Sequence, residues 1–129
     1  MSLIRAESLA GRVIGQDSFF LADWIDDGSM PGTPIAPLHR HLKDDEIWYV
    51  LSGRLAFSIG EETVEAGPGA AVLGPAGVPH TYWNPSDEPA RYLLVMSPDT
   101  VRLIERLHEA GSPDELGELF RRHGCELLG

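Results

Sequence analysis

The sequence predicts an all-β domain, an antiparallel barrel or sandwich, followed by two short helices. Three observations predict it. Short apolar runs recur between residues 12 and 96, separated by turn-forming clusters, and many of the 14 Gly and 10 Pro fall between residues 28 and 89. Where a run is long enough to read, as in Glu46-Ile47-Trp48-Tyr49-Val50-Leu51, successive residues can be assigned alternately to an inner and an outer face. After Ser97 the apolar spacing changes from the strand period to the helical one.

Taken in order, Arg12–Ile14 and Phe19–Ile25 read as strands with a turn at Gly15-Gln16-Asp17, and Asp26-Asp27-Gly28 is a second turn. Asp23, Asp26 and Asp27 read as acids on a solvated edge or loop. Ile35–His41 is a strand, the polar stretch Leu42-Lys43-Asp44-Asp45 turns the chain, and Glu46–Leu51 returns. Ser52-Gly53 is a hairpin signal before Arg54–Ile59. Thr63–Glu65, Ala70–Leu73, His80–Asn84 and Arg91–Met96 follow, divided by glycine and proline. Ser97-Pro98 caps a helix with Val101, Ile104, Leu107 and His108 on one face, and Gly111 ends it. Ser112-Pro113-Asp114-Glu115 is a capping box for a second helix, whose stripe is Leu116, Leu119, Phe120 and His123. The helical pair is expected to cover one side of the barrel. No repeat or linker divides the chain, so one domain is expected over residues 1–129, with a barrel core at about 10–97 and a helical extension at about 98–129.

Charge and composition exclude some functions. A formal net charge of −10 argues against a nucleic-acid partner or an anionic membrane surface. It also opposes strongly anionic substrates unless a metal reverses the local field. The one cysteine, Cys125, excludes an intrachain disulfide; far in sequence from the histidine blocks, it reads as an incidental thiol. Met1–Glu7 carries charge where a signal peptide would be apolar, and no apolar run reaches membrane-spanning length, so a soluble, cytoplasmic protein is expected.

The chemistry sits in the histidines. His39 and His41, two apart in a strand, aim their imidazoles at one face. Glu46 has the opposite parity, but the turn at residues 42–45 lets it open the next strand beside them. His80 follows a Gly/Pro-rich loop, Gly74 to Pro79. A single His-x-His is weak evidence, since most histidines are surface or hydrogen-bonded core residues; His108 and His123 read that way. Three imidazoles and a carboxylate, however, form a ligand set for one divalent transition metal (Fe, Mn, Ni, Cu or Zn), with positions left open for substrate.

The surrounding residues strengthen this reading. Gly32, His39, His41, Glu46 and Gly53, then Gly69, Pro75, Gly77, His80 and Asn84, resemble the two signature motifs of the cupin superfamily, G-x5-H-x-H-x3-4-E-x6-G and G-x5-P-x-G-x2-H-x3-N. The second matches throughout; the first has six residues instead of five between Gly32 and His39, leaving the ligands in register. The resemblance implies a double-stranded β-helix (jelly-roll) barrel, a metal held by His39, His41, Glu46 and His80, and a homodimer. The first reading is a dioxygenase-type oxidoreductase acting on a small organic substrate, for which an aromatic-lined cavity would suit a planar or apolar molecule, with Glu46 also a catalytic base. Two rivals stay open: a non-catalytic ligand-binding module, and a redox-neutral isomerase or lyase. Strand parity places Trp48, Val50, Tyr82 and Asn84 on the inner face, with Phe57 and Met96 as further candidate wall, although Asn84 reads rather as a turn residue. Ile47, Tyr49, Leu51 and Trp83 then face outward and need cover from the helices or a second subunit.

Overall fold

Alternating strands with one apolar face must bury that face against a second layer, and this chain does so by stacking two sheets. The structure, a computed structural model, describes residues 8–129; the charged segment at residues 1–7 lies outside the described residues. The strands are β1 (Val13–Gly15), β2 (Phe20–Asp26), β3 (Pro34–His41), β4 (Glu46–Ser52), β5 (Leu55–Ile59), β6 (Glu62–Ala66), β7 (Ala71–Gly74), β8 (His80–Trp83), β9 (Ala90–Met96) and β10 (Cys125–Leu127). Helices α1 (Pro98–Arg106) and α2 (Pro113–Arg122) lie between β9 and β10, and a 3-10 turn at Leu107–Glu109 extends α1. One antiparallel sheet has the order β1-β2-β9-β4-β7 and the other β10-β3-β8-β5-β6.

Parity decides what fills the space between them. Glu46, Trp48 and Val50 of β4 are buried while Ile47, Tyr49 and Leu51 are exposed. Ala90, Tyr92, Leu94 and Met96 of β9 point the same way as the inner face of β4. From the facing sheet come Leu55, Phe57 and Tyr82, and the Trp48 ring meets Phe57 at 5.2 Å and Tyr82 at 5.4 Å between centroids. The hairpin after β4 depends on Gly53, whose φ of 74° is left-handed and whose Cβ would sit 2.3 Å from the Pro89 carbonyl oxygen.

The helices are capped as their sequences require. Ser97 Oγ accepts from Thr100 N, and Ser112 Oγ accepts from Glu115 N while Glu115 Oε2 accepts from Gly111 N. Leu103, Leu119, Phe120 and Cys125 form a small second core, and Val101 joins the main one. The helical segment therefore packs beside β10 and the cavity and leaves the outer face of β4 uncovered. Ile47, Tyr49 and Leu51 stay 42, 41 and 37 % exposed, whereas Trp83 is half-buried.

One local reading needs correction. Asp23 is not a solvated acid: it is buried on β2 and its carboxylate takes both Nε and Nη2 of Arg91, at 3.0 and 2.6 Å. After Gly124 the chain becomes β10, which pairs along the edge of β3 with Cys125 opposite His41.

Candidate metal centre

Each prospective donor is delivered by a different local device. On β3, His39 and His41 share parity and both are buried. His39 lies directly opposite His80 in the β3–β8 ladder. The turn at residues 42–45 is tied down when Asp45 Oδ1 accepts from Ala76 N at 2.8 Å, and Gly77 N donates to the His41 carbonyl at 2.6 Å. These bonds lock the turn before Glu46 to the loop before His80. Gly74, opposite Glu46 in the β4–β7 ladder, has no side chain for a packing reason: a Cβ there would fall 2.8 Å from the Trp48 ring and 3.6 Å from His80 Nδ1.

The result is one cluster. Ligand atoms of His39, His41, Glu46 and His80 all lie within 4.8 Å of one another, on residues 7, 2, 4 and 1 % exposed. His41 Nε2 meets Glu46 Oε1 at 2.7 Å and His39 Nε2 at 3.2 Å; His80 Nε2 is 3.6 Å from Glu46 Oε2. His39 Nδ1 donates to the Pro37 carbonyl at 2.6 Å, so in the neutral ring its Nε2 lone pair faces the cluster. His80 Nε2 is buried without a hydrogen-bond partner, a costly arrangement unless something else binds there. An inward lone pair on His39, an orphaned nitrogen on His80 and one carboxylate fit a divalent cation.

Electrostatics agree with a tightly packed set. Burial holds the His39 imidazole down to about 4, against the opposing Pro37 bond. Burial also acts to lower His41, but its contacts with Cys125 and Glu46 outweigh that and raise it to about 10. For Glu46, burial acts upward, yet contact with His41 and His80 prevails and leaves it at about 2. The metal-free centre is thus built around a His41–Glu46 ion pair.

His39, His41 and Glu46 of this cluster line a cavity of about 160 Å³, and His80 does not reach it. Trp48 and Tyr82 line it, whereas Val50, Phe57 and Met96 do not and are fully enclosed core residues. Inward parity puts a side chain between the sheets, and position along the strand then decides whether it meets the cavity or the packed interior. The remaining wall went unread: Trp24, Ile35 and Leu94 from strands, and Thr100, Leu103, Ile104, Leu107 and Phe120 from the helical segment. Leu94 is the register partner of Trp48, a pairing that appears only once β4 and β9 are neighbours. Among the described residues no Lys or Arg lines the cavity. Asn84 is the turn residue expected, its Oδ1 accepting from Ser86 N and its Nδ2 donating to the Glu88 carbonyl. Cys125 is not incidental, since its Sγ lies 3.0 Å from His41 Nδ1.

The cupin-domain family model matches residues 29–96, more than half of the chain and all four clustered residues. The protein is a cupin. An uncharacterised protein of Streptomyces coelicolor is 43 % identical to it over 54 residues, covering 42 % of this chain and 50 % of the relative. A cupin-superfamily sugar phosphate isomerase from Silicibacter pomeroyi superposes with a TM-score of 0.56 at 27 % identity, covering 64 % of this cupin and 52 % of that chain. The polyketide cyclase RemF from Streptomyces resistomycificus gives 0.53 at 29 % identity, with 64 % and 56 % covered. This cupin thus spans about half the length of these relatives. No helix among its described residues is long and apolar enough to cross a membrane.

Proposed function

We propose that this cupin is a metal-dependent enzyme that oxidises a small, uncharged, apolar or aromatic molecule with O2. The observation that carries the reading is a cluster of four buried donors, three of which (His39, His41 and Glu46) open onto a cavity whose walls are almost wholly hydrocarbon and aromatic ring. His39, His41, Glu46 and His80 would hold the ion, with a face left open to the cavity. Bound there, a divalent transition ion supplies Lewis-acid activation and, if redox-active, electrons for O2.

The chain's own residues favour oxidation over acid–base chemistry. Burial keeps the Tyr82 phenol well above its usual value and Tyr92 at about 12, and the two hydroxyls bond each other at 2.8 Å, so neither is a ready acid. Contact with His41 and His80 holds the Glu46 carboxylate low, which favours its charged form. Glu46 therefore serves first as charged donor, and takes a proton only if its contact with His41 breaks. Trp48, Leu94 and Phe120 exclude water and offer flat surface to a ring. A sugar phosphate finds no Lys or Arg on this wall.

The resemblance to RemF favours a second reading, redox-neutral ring closure or isomerisation of an aromatic precursor in the same cavity. Oxygen consumption separates them. Protein loaded with Fe(II), Mn(II), Ni(II) or Cu(II) should take up O2 with a catechol, flavonol or diketone. Turnover without O2 would favour the second reading. No turnover, with a small molecule raising the Tm, would leave a binding module.

A further inference from the structure

A histidine that binds through Nε2 carries its proton on Nδ1, and the acceptor of that proton sets the ring's tautomer and direction. For His39 the acceptor is the Pro37 carbonyl. His41 has no carbonyl there. Its Nδ1 faces two side chains from outside the family match, Cys125 Sγ at 3.0 Å and Thr100 Oγ1 at 3.3 Å. Both are almost fully buried, at 1 and 3 % exposure. Each is itself anchored. The Cys125 thiol donates to the His123 carbonyl at 3.4 Å, which frees the sulfur lone pairs for His41, and β10 pairing sets Cys125 opposite His41. Thr100 is held by the Ser97 cap, with the two hydroxyl oxygens 3.1 Å apart.

We propose that Cys125 and Thr100 are positioning residues for His41, so that the C-terminal segment completes a metal centre whose donors lie in the barrel. The inference rests on the metal reading above. It explains why the segment turns back as β10 after α2, since that return brings the sulfur to His41. It also makes the helical segment part of the centre as well as part of the cavity wall.

The test is Co(II) binding to this whole chain after metal removal, by calorimetry and by the visible absorption of the bound ion. Cys125→Ala with Thr100→Val, which removes both acceptors, should weaken Co(II) binding about 10–100-fold and change the absorption bands. Cys125→Ser with Thr100→Ser keeps two acceptors and should recover most of the affinity. The proposal is overturned if the Ala/Val protein melts as the unaltered protein does and binds Co(II) equally tightly, or if the Ser/Ser protein loses as much as the Ala/Val one. Should the Ala/Val protein not fold, Thr100→Val alone is read by the same criteria. Failure of the unaltered protein to bind Co(II), Ni(II) or Zn(II) would instead remove the metal reading, and this inference with it.

Discussion

At the scale of single residues, the prospective centre and its surroundings behave differently under substitution. His41→Ala should abolish stoichiometric metal binding, while His108→Ala, on an exposed turn, should leave it intact; equal loss in both would place the site elsewhere. Glu46→Gln should lower turnover further than its metal content falls, if the carboxylate takes a proton as well as holding the ion; a parallel fall would make it a ligand only. Phe57, enclosed between Trp48 and Tyr82 but off the cavity, should act through stability alone. Phe57→Ala is expected to cost about 3–5 kcal/mol by denaturant unfolding. The pH dependence has a definite sign. In the metal-free protein His41 is raised to about 10, so its stabilisation is complete below the usual 6.5 and fades as pH rises toward 10. Glu46, lowered to about 2, contributes above its usual 4.5 and loses that contribution as pH falls toward 2. His39, lowered to about 4, adds a penalty as pH falls from 6.5 toward 4. Binding a cation at pH 7 must therefore expel the His41 proton. Calorimetry in buffers of different ionisation enthalpy should detect about one proton released.

At the scale of elements, α1 is the part whose local chemistry reaches furthest. Its Ser97 cap holds the first turn and, through Thr100, touches the His41 ring. Ser97→Ala should cost about 0.5–2 kcal/mol of stability. It should also weaken metal binding, which an equivalent change at Ser112, the cap of α2, should not. Unchanged metal affinity in Ser97→Ala would mean that the cap serves the helix alone. Strand β4 shows the opposite economy: one alternation supplies a prospective ligand, a cavity wall and a core residue inside, and Ile47, Tyr49 and Leu51 outside.

At the scale of the whole molecule, the exposed apolar face of that sheet calls for a partner. Ile47 pairs across the ladders with Leu73 and Val95, making an apolar row that the helices leave uncovered. A homodimer through this face is the expected assembly, to be checked by sedimentation at micromolar concentration. Ile47→Lys with Leu73→Lys should give a monomer; a monomer before substitution would refute the expectation.

Strands β1 to β9, the caps of both helices and the four clustered donors were legible in the sequence because each rests on short-range rules. Parity put His39 beside His41, polar turn chemistry reversed the chain before Glu46, and the Gly74 to Pro79 loop announced His80. Serine before proline announced the helix starts. What only the tertiary structure decided depends on which strands become neighbours. Val50 and Phe57 share the inward parity of Trp48 and Tyr82, yet only the latter pair meets the cavity, because the stacking of the sheets sets where the packed interior ends. Cys125 lies 84 positions from His41, so nothing local could couple them; β10 had to return along β3 to do so. The same holds for Asp23 and Arg91, distant in sequence and joined diagonally across the β2–β9 ladder. Period and turn chemistry act within a few residues, whereas the walls of a cavity and the support of a ligand come from contacts between remote segments.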